Sequence, residues 1–377
     1  MDIQSIHRDF PIKQRMVYLN NASIGALSNQ VVSAVNKFLE DVRDNGRIHY
    51  PEWCKYADTD VKDNIGQLIG ADKSEIAFVK NTTEGILIVA NGLNWKPGDN
   101  VIIADIEFPS NVYCWMNLEK RGVSIKRINT KFGRILVDDI AALIDNRTRL
   151  VSLSAVQFSN GFRLDIEKVG ELCKNKGVLL NLDAIQYIGA LKIDLSKWHV
   201  DFLSAGGHKW LLGPIGTGIF YCRKESMHHI HPQNVGYHSV DKSEDHLDYD
   251  LTFRPTATRF EEALVNFPGI AGLDVAVKLF LELCPDKVED YIHNLISQAI
   301  EGLKRKNYEI LSPLGEKERS GILLFRNGNI SSEDICHRLN ASNINIAIRA
   351  GALRISPSVF NDKDEIDRFL DDLPLIL

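Results

Sequence analysis

Between residues 74 and 222, short apolar runs alternate with amphipathic segments of helical length. The runs are rich in Val, Ile and Leu on both faces, which is typical of buried, mostly parallel strands joined by crossover helices. The pattern therefore predicts an α/β fold whose large domain contains a mostly parallel sheet of seven strands: EIAFVK (75–80), NVIIAD (100–105), VSIKRIN (123–129), RLVSLSAV (149–156), VLLNLD (178–183), DFLSAG (201–206) and GIFYC (218–222).

The pattern changes after Asn266. A long helical stretch, Gly269 to Lys306, is followed by four short strand-like segments and by helices that begin near Ser331 and Asp362. Helices beside a small, partly antiparallel sheet are typical of a second α/β domain. The predicted organisation has three parts: an arm at 1–20 that joins part of the small domain, a large domain at 21–265 and a small C-terminal domain at 266–377.

Composition excludes several classes of protein. The 377 residues carry a net charge of −6 and contain no dense Lys/Arg run, which argues against a nucleic-acid partner. No stretch approaches the roughly 18 apolar residues of a membrane helix, and the N-terminus lacks a signal-peptide run, so we expect a cytoplasmic protein without membrane association. The six cysteines have no C-x-x-C spacing, and His228, His229 and His231 lack the spacing of a ligand set. Neither disulfides nor a metal site is predicted.

Ligands of open α/β sheets bind beyond the carboxyl ends of the strands. After the first predicted strand, Thr82 and Thr83 begin a helix and offer hydroxyl and backbone N–H groups to an anion, although an ordinary helix cap would use the same residues. Asp183 closes a buried strand, where a carboxylate needs a cation or strong donors. A protonated pyridine nitrogen would serve, and so would a structural ion pair.

Lys209 follows the strand DFLSAG in the segment GGHKW. Two glycines allow a tight turn beside a ligand, and a lysine held there can lose its proton and form an imine, although most lysines are solvated surface residues. Phe108 follows the strand NVIIAD and would offer an apolar face to a flat ring, where a core role is the alternative. An anion site, a stacking face, a carboxylate and an imine-forming lysine together indicate pyridoxal 5'-phosphate (PLP) as the cofactor.

These residues lie in motifs that resemble the class V aminotransferases of the fold type I PLP enzymes, the group that contains cysteine desulfurases, kynureninase and isopenicillin N epimerase. The resemblance begins at Tyr18 and extends to the C-terminal segment ALRISPSVFNDKDEIDRFL. Its most specific motifs are NTTEG (81–85), DAIQ (183–186), GGHKWLLGPIGTG (206–218), RFEEALVNFPGIAGL (259–273) and IAIRAGALRIS (346–356).

The resemblance implies that Lys209 forms the Schiff base and that Asp183 pairs with the ring nitrogen. It assigns the other roles by position: phosphate binding to Thr82, Thr83 and His208, ring stacking to Phe108, contact with the phenolic oxygen to Gln186 and Gln157, and substrate binding to Arg354, Asn21 and His49. Family members are dimers with the active site at the subunit interface, so a homodimer is implied here.

Some positions depart from the family pattern. Desulfurases have a histidine where Phe108 stands, and they carry a nucleophilic cysteine on a loop before the LRIS-like segment. In this chain Gly351 lies only three residues before Arg354, so that loop is absent. Two phosphate ligands of the family also differ. The family often has Ser at the position of Gly206. At the position of Ala263-Leu264 it often has Gly-Thr or Gly-Ser, which binds the phosphate in the neighbouring subunit.

The resemblance implies an enzyme that acts at the α-carbon of a small amino-acid substrate. With the desulfurase cysteine absent, transamination is the favoured reaction, and β-elimination with C–S bond cleavage or epimerisation are the alternatives. A catalytically silent relative is a further alternative, against which the intact Lys209, Asp183 and Arg354 argue. A nucleotide-binding protein would need a glycine-rich phosphate loop that NTTEG does not provide.

Overall fold

The computed structural model describes residues 2–131, 133–242, 247 and 249–375. The helices are α1 (Asn29–Asn45), α2 (Tyr50–Tyr56), α3 (Lys62–Ile69), α4 (Thr82–Gly92), α5 (Ser110–Met116), α6 (Val137–Leu143), α7 (Ile166–Lys176), α8 (Phe267–Leu283), α9 (Pro285–Arg305), α10 (Ser332–Ala341) and α11 (Lys363–Asp372). The strands are β1 (Val17–Tyr18), β2 (Ile76–Val79), β3 (Asn100–Ala104), β4 (Ser124–Ile128), β5 (Thr148–Ser154), β6 (Leu179–Asp183), β7 (Phe202–Gly206), β8 (Gly218–Cys222), β9 (Glu309–Ile310), β10 (Leu323–Arg326), β11 (Ile344–Asn345), β12 (Ala347–Arg349) and β13 (Ala352–Ile355).

The seven strands β2 to β8 form one sheet in the order β2-β8-β7-β6-β5-β3-β4, which confirms the predicted α/β fold. Only β8 is antiparallel to its neighbours β2 and β7, and the other pairs are parallel. The carboxyl ends of β2, β3, β6 and β7 therefore lie at the same edge of the sheet. Every residue of β2, β3, β7 and β8 is buried, as expected for strands that are apolar on both faces.

The C-terminal part contains an antiparallel sheet in the order β12-β13-β10-β9. The N-terminal arm joins it, because β1 pairs in parallel with β11 and Asn20 bridges to Ser356. The long helical stretch predicted here is two helices. Cys284 has a φ of 69° and Pro285 follows it, a combination that ends α8 and starts α9.

A two-residue turn connects β12 to β13. Ala350 and Gly351 have φ values of 50° and 73°, and the flanking Arg349 and Ala352 are paired in the antiparallel register. Two consecutive positive φ angles are typical of the tight hairpin turn whose twist matches that of the strands. The hairpin leaves no insertion between the two strands.

No helix among the described residues combines the length and the apolar character that crossing a membrane would require.

A buried lysine supports the strand that leads to the N-terminus of α4. The Nζ atom of Lys62 lies 2.9 Å from Glu261 Oε1 and 2.8 Å from Asp58 Oδ1. Glu261 also accepts the backbone N–H of Phe78 in β2. Since Lys62 and Glu261 are both almost fully buried, either charge alone would lie in a poorly solvated environment.

We expect Lys62→Ala to lower the free energy of unfolding by about 3–5 kcal/mol, because it leaves the Glu261 carboxylate buried without its cation. Urea unfolding followed by circular dichroism measures this loss. Lys168→Ala, which removes an exposed lysine paired with Asp165, is the matched control and should leave the free energy of unfolding nearly unchanged. Equal losses in the two variants would contradict the interpretation.

Candidate active site

Asp183 is the last residue of β6 and is almost completely buried. Its Oδ1 atom accepts the backbone N–H of Ile185 at 3.0 Å, and the carboxylate forms no ion pair with any described residue. Burial raises the pKa of Asp183 to about 7, and nearby Glu107 acts in the same direction. A buried carboxylate without an ion pair would be stabilised by a cation bound in the site.

Lys209 lies three residues beyond the end of β7. Its Nζ atom is 5.6 Å from the centre of the Phe108 ring, and it makes no hydrogen bond within the described chain. Burial lowers the pKa of Lys209 to about 8, Asp183 opposes that change, and Arg354 and Arg349 contribute to it. A substantial fraction of the amine is therefore neutral near physiological pH, as a nucleophile or general base requires.

The first turn of α4 forms one wall of the site. Asn81 caps the helix by accepting the N–H of Glu84, which leaves the first backbone N–H groups directed outward. The Thr82 hydroxyl accepts the N–H of Gly206 at 2.9 Å, and Thr83 Oγ1 lies 2.8 Å from Ser110 Oγ. Two threonine hydroxyls, a serine hydroxyl and a helix N-terminus thus converge where an anion would be stabilised.

His208 completes this cradle. Its Nδ1 atom is buried without a hydrogen-bond partner among the described residues, and burial lowers its pKa. A Cβ atom at Gly206 would lie 3.0 Å from the His208 ring, so glycine leaves room for the imidazole to lie against the backbone. Ser110 adds a hydroxyl beside Thr83 on the same side of the site.

Two aromatic rings link the lysine to an arginine. The rings of Phe108 and Phe158 meet edge to face with their centres 5.2 Å apart. Phe158 also accepts a hydrogen bond of 2.8 Å from Arg354 Nη1 through its backbone carbonyl. Phe108 is 41% exposed, so its ring presents apolar surface to the open side of the site.

Arg354 is only 1% exposed, and its Nε atom has no hydrogen-bond partner among the described residues. Its Nη2 atom donates to Ser23 Oγ at 2.9 Å. Burial lowers the pKa of Arg354 to about 9, and the charge of Arg349 lowers it further. No described carboxylate pairs with this guanidinium, which is the arrangement expected of an arginine that awaits an anion.

The other predicted residues are held by hydrogen bonds to neighbouring parts of the protein. Gln186 donates from Nε2 to Ala22 O at 3.0 Å and accepts the Trp210 indole N–H at 2.7 Å, so one of its N–H groups remains for a ligand. Gln157 donates to Glu107, and its buried Oε1 atom lacks a partner among the described residues. Asn21 donates to the backbone carbonyl of Lys209 at 3.4 Å.

His49 is not brought into this cluster within the chain. It precedes α2, and its Nδ1 atom lies 2.8 Å from Asp41 Oδ1. Trp53 donates to the same carboxylate at 2.9 Å. These contacts form a separate group between α1 and α2.

Sequence reasoning missed Glu107, which precedes Phe108 and is buried beside Asp183. Its carboxylate accepts hydrogen bonds from the backbone and hydroxyl of Ser154 and from the amides of Asn111 and Gln157. Burial raises its pKa. The available signal was an acidic residue three positions beyond the end of the buried strand β3.

The site fits PLP on the chemistry of its donors and acceptors. It has a buried carboxylate without a cation, a lysine of lowered pKa, an aromatic face and an anion cradle with an unpartnered imidazole. Each is a different requirement of the same cofactor, and all lie at one edge of the sheet. The arrangement defines an enzyme of the fold type I PLP class.

Comparison with known proteins specifies the family. The model of the family "Aminotransferase class-V" matches residues 17–369, and the chain belongs to this family. A probable cysteine desulfurase from Methanothermobacter thermautotrophicus is 29% identical over 93% of this chain and 88% of its own length. A cysteine desulfurase from Salmonella agona is 29% identical over 99% of this chain and 98% of its own length.

Solved structures agree with this placement. The apo structure of a cysteine desulfurase from Thermococcus onnurineus NA1 is 25% identical, with a TM-score of 0.90 and coverage of 98% of this chain and 97% of that one. A variant of the protein C-DES, with glycine covalently linked to its PLP cofactor, shares the fold at 22% identity and a TM-score of 0.89. The chain is a PLP-dependent enzyme. Transamination is not confirmed, because the relatives favour chemistry at a C–S bond.

We expect the lowered pKa of Lys209 to appear in the stability of the cofactor-free protein. Below about pH 8 the folded state buries a charged amine, and this cost disappears as the pH rises from 8 toward the ordinary value near 10.5. Lys209→Met removes the charge, so its free energy of unfolding at pH 7 should exceed that of the unsubstituted protein by on the order of 2–3 kcal/mol.

The difference should shrink as the pH approaches 10, and urea unfolding at pH 7 and pH 10 measures it. Lys174→Met, at an exposed position of α7, is the control and should show no such dependence on pH. A constant difference between Lys209→Met and the unsubstituted protein would contradict the assignment of the shift to Lys209.

Proposed function

We propose that the enzyme cleaves the C–S bond of a cysteine-derived amino acid by β-elimination. PLP supplies an electron sink that stabilises negative charge at the substrate α-carbon. Lys209 would hold the cofactor, and its free amine would take the α-proton of the substrate. Its neutral form is accessible near pH 8, which suits that role.

The cofactor assignment rests on the residues at the sheet edge. Asp183 would keep the ring nitrogen of PLP protonated, and Phe108 would offer its ring an apolar face. Thr82, Thr83 and His208, with Ser110 beside them, would hold the phosphate. Gln186, which retains one N–H group, and Gln157, which donates to Glu107, would bind the phenolic oxygen.

Arg354 binds the α-carboxylate of the substrate. A guanidinium can donate two parallel hydrogen bonds to a carboxylate, and the Nε atom of Arg354 is buried without any partner in the described chain. Its hydrogen bonds to Phe158 and Ser23 hold the side chain in place before the substrate arrives. Asn21 positions the lysine, since it contacts the Lys209 backbone.

One observation separates this reaction from that of a desulfurase. A desulfurase needs a thiolate of the enzyme to attack the substrate sulfur, and the family carries that cysteine on the loop that Ala350 and Gly351 replace with a tight turn. Cys114 lies close enough to Asp183 for that carboxylate to affect its pKa. The Cys114 side chain is buried, however, and burial raises the pKa of its thiol to about 12. The relatives support chemistry at a C–S bond, and elimination needs no cysteine of the enzyme.

In β-elimination, Lys209 removes the α-proton and the Cβ–S bond breaks with its electron pair on sulfur. The sulfur fragment leaves as a thiolate and takes up a proton. The three-carbon fragment then takes up water and yields pyruvate and ammonium. No oxidant or reductant is required.

We expect L-cysteine and S-substituted cysteines to give pyruvate and ammonium in equal amounts, because the turn at Ala350 and Gly351 carries no cysteine to accept the sulfur. Product analysis by lactate dehydrogenase coupling and by mass spectrometry measures this. Lys209→Ala should lose at least about 10³-fold in kcat. Cys114→Ala should stay within about twofold and is the matched control.

Alanine as the main product of cysteine would indicate desulfuration. A 2-oxo acid that retains the sulfur, together with pyridoxamine phosphate, would indicate transamination. Either result contradicts the proposed elimination.

We further propose a cytoplasmic homodimer, as the family resemblance implies. Large apolar side chains are exposed at Ile48, Ile215 and Leu264, with exposures of 71%, 70% and 62%. Leu264 belongs to the segment that in relatives reaches the neighbouring subunit. Burial of these side chains between two copies would remove apolar surface from water.

Light scattering coupled to size-exclusion chromatography should give twice the chain mass of 42.4 kDa. Ile215→Asp should shift the protein toward the monomer, since a charge would be buried in the interface. Leu375→Asp, at a similarly exposed position near the C-terminus, should leave the mass unchanged. A monomer before any substitution would exclude the proposed homodimer.

A further inference from the structure

A second arginine, Arg349, lies beside Arg354 on one face of the small sheet. In the antiparallel pair of β12 and β13, Arg354 is opposite Ala347 and Arg349 is opposite Ala352. Directly opposed residues point to the same face, and so do residues two apart on a strand. Arg349 and Arg354 are therefore diagonal neighbours on a shared face.

A single hydroxyl joins the two guanidinium groups. Ser23 Oγ accepts a hydrogen bond of 3.1 Å from Arg349 Nη2 and one of 2.9 Å from Arg354 Nη2. The same hydroxyl donates to Asn20 Oδ1 at 2.6 Å. Its donor and both of its lone pairs are thus used, so Ser23 fixes the spacing of the two cations.

The two positive charges have no carboxylate of the described chain to balance them. Arg349 has one other hydrogen bond, from Nη1 to its neighbour's carbonyl, Ile348 O, at 2.7 Å. Neither arginine forms an ion pair with a described residue. Holding two guanidiniums together in a partly buried site is unfavourable unless anions complete it, and one α-carboxylate supplies only one negative charge.

We infer that the substrate carries a second acidic group on its sulfur substituent and that Arg349 binds it while Arg354 binds the α-carboxylate. This inference rests on the proposed function and specifies its substrate class: cysteine derivatives of the form acid–S–CH₂–CH(NH₃⁺)–COO⁻. Elimination would release the acidic thiol together with pyruvate and ammonium.

The tight turn between β12 and β13 lies next to this arginine. Arg349 directly precedes Ala350 and is held opposite Ala352 by the antiparallel pairing of the two strands. The hairpin therefore presents Arg349 and Arg354 from adjacent strands.

Two isosteric substrates test the inference. S-carboxymethyl-L-cysteine and S-carbamoylmethyl-L-cysteine differ in charge but hardly in size. The holoenzyme should favour the acid by about 10- to 100-fold in kcat/KM, which corresponds to a hydrogen bond between charged groups. Pyruvate release measures turnover, and isothermal titration of the holoenzyme with each compound measures binding independently.

Arg349→Gln should bring the ratio of the two substrates to about 1, because turnover of the acid falls more than turnover of the carbamoyl compound. Arg349→Lys should retain part of the preference, because it keeps the charge but not the planar fork. Arg326→Gln removes an exposed arginine of the same sheet and is the matched control, for which the ratio should not change. The visible spectrum and melting temperature verify that each variant is folded and loaded.

A ratio near 1 in the unsubstituted holoenzyme would overturn the inference. An equal loss for both compounds in Arg349→Gln would also overturn it, because Arg349 would then serve the α-carboxylate that the two share. If the acid binds more tightly but no pyruvate is released, the second acid site stands and the proposed elimination fails.

Discussion

The ionisable groups of the site are buried before any ligand is present, and they do not neutralise one another. Asp183 and Lys209 influence each other's pKa without forming an ion pair, and Arg354 is buried beside a second arginine. Keeping charges out of water costs free energy, so the fold must hold them rigidly for partners of opposite sign that arrive with cofactor and substrate. The sheet provides this rigidity, since the strands leading to Asp183 and Lys209 are fixed by hydrogen bonds on both sides.

The direction of the strands determines which residues can cooperate. Because β8 alone is antiparallel to its neighbours, the carboxyl ends of β2, β3, β6 and β7 share one edge, although their residues are widely separated in the chain. This one topological feature brings together the residues proposed to bind the phosphate, to stack on the ring, to pair with the ring nitrogen and to form the Schiff base. The small sheet contributes the remaining part, since β13 carries Arg354 toward the same edge.

The hairpin of β12 and β13 is where backbone geometry bears on the proposed reaction. Desulfurases of the family carry an inserted loop with a cysteine at this connection, whereas Ala350 and Gly351 close it in two residues. The proposed elimination, which needs no cysteine of the enzyme, is consistent with this turn. Beside it, Ser23 joins Arg349 and Arg354 through a single hydroxyl.

The sequence by itself determined the seven strands, the cofactor and the candidate residues at or near strand ends, such as Asp183 and Lys209. These features depend on local patterns, namely apolar runs that end in a polar or glycine-rich segment. Tertiary structure alone decided the contacts of Gln186 with Trp210, the burial of Glu107 next to Asp183 and the position of Arg349 beside Arg354. Such contacts join residues far apart in the chain or depend on strand register and turn conformation, and the pattern of hydrophobic and polar positions does not encode them.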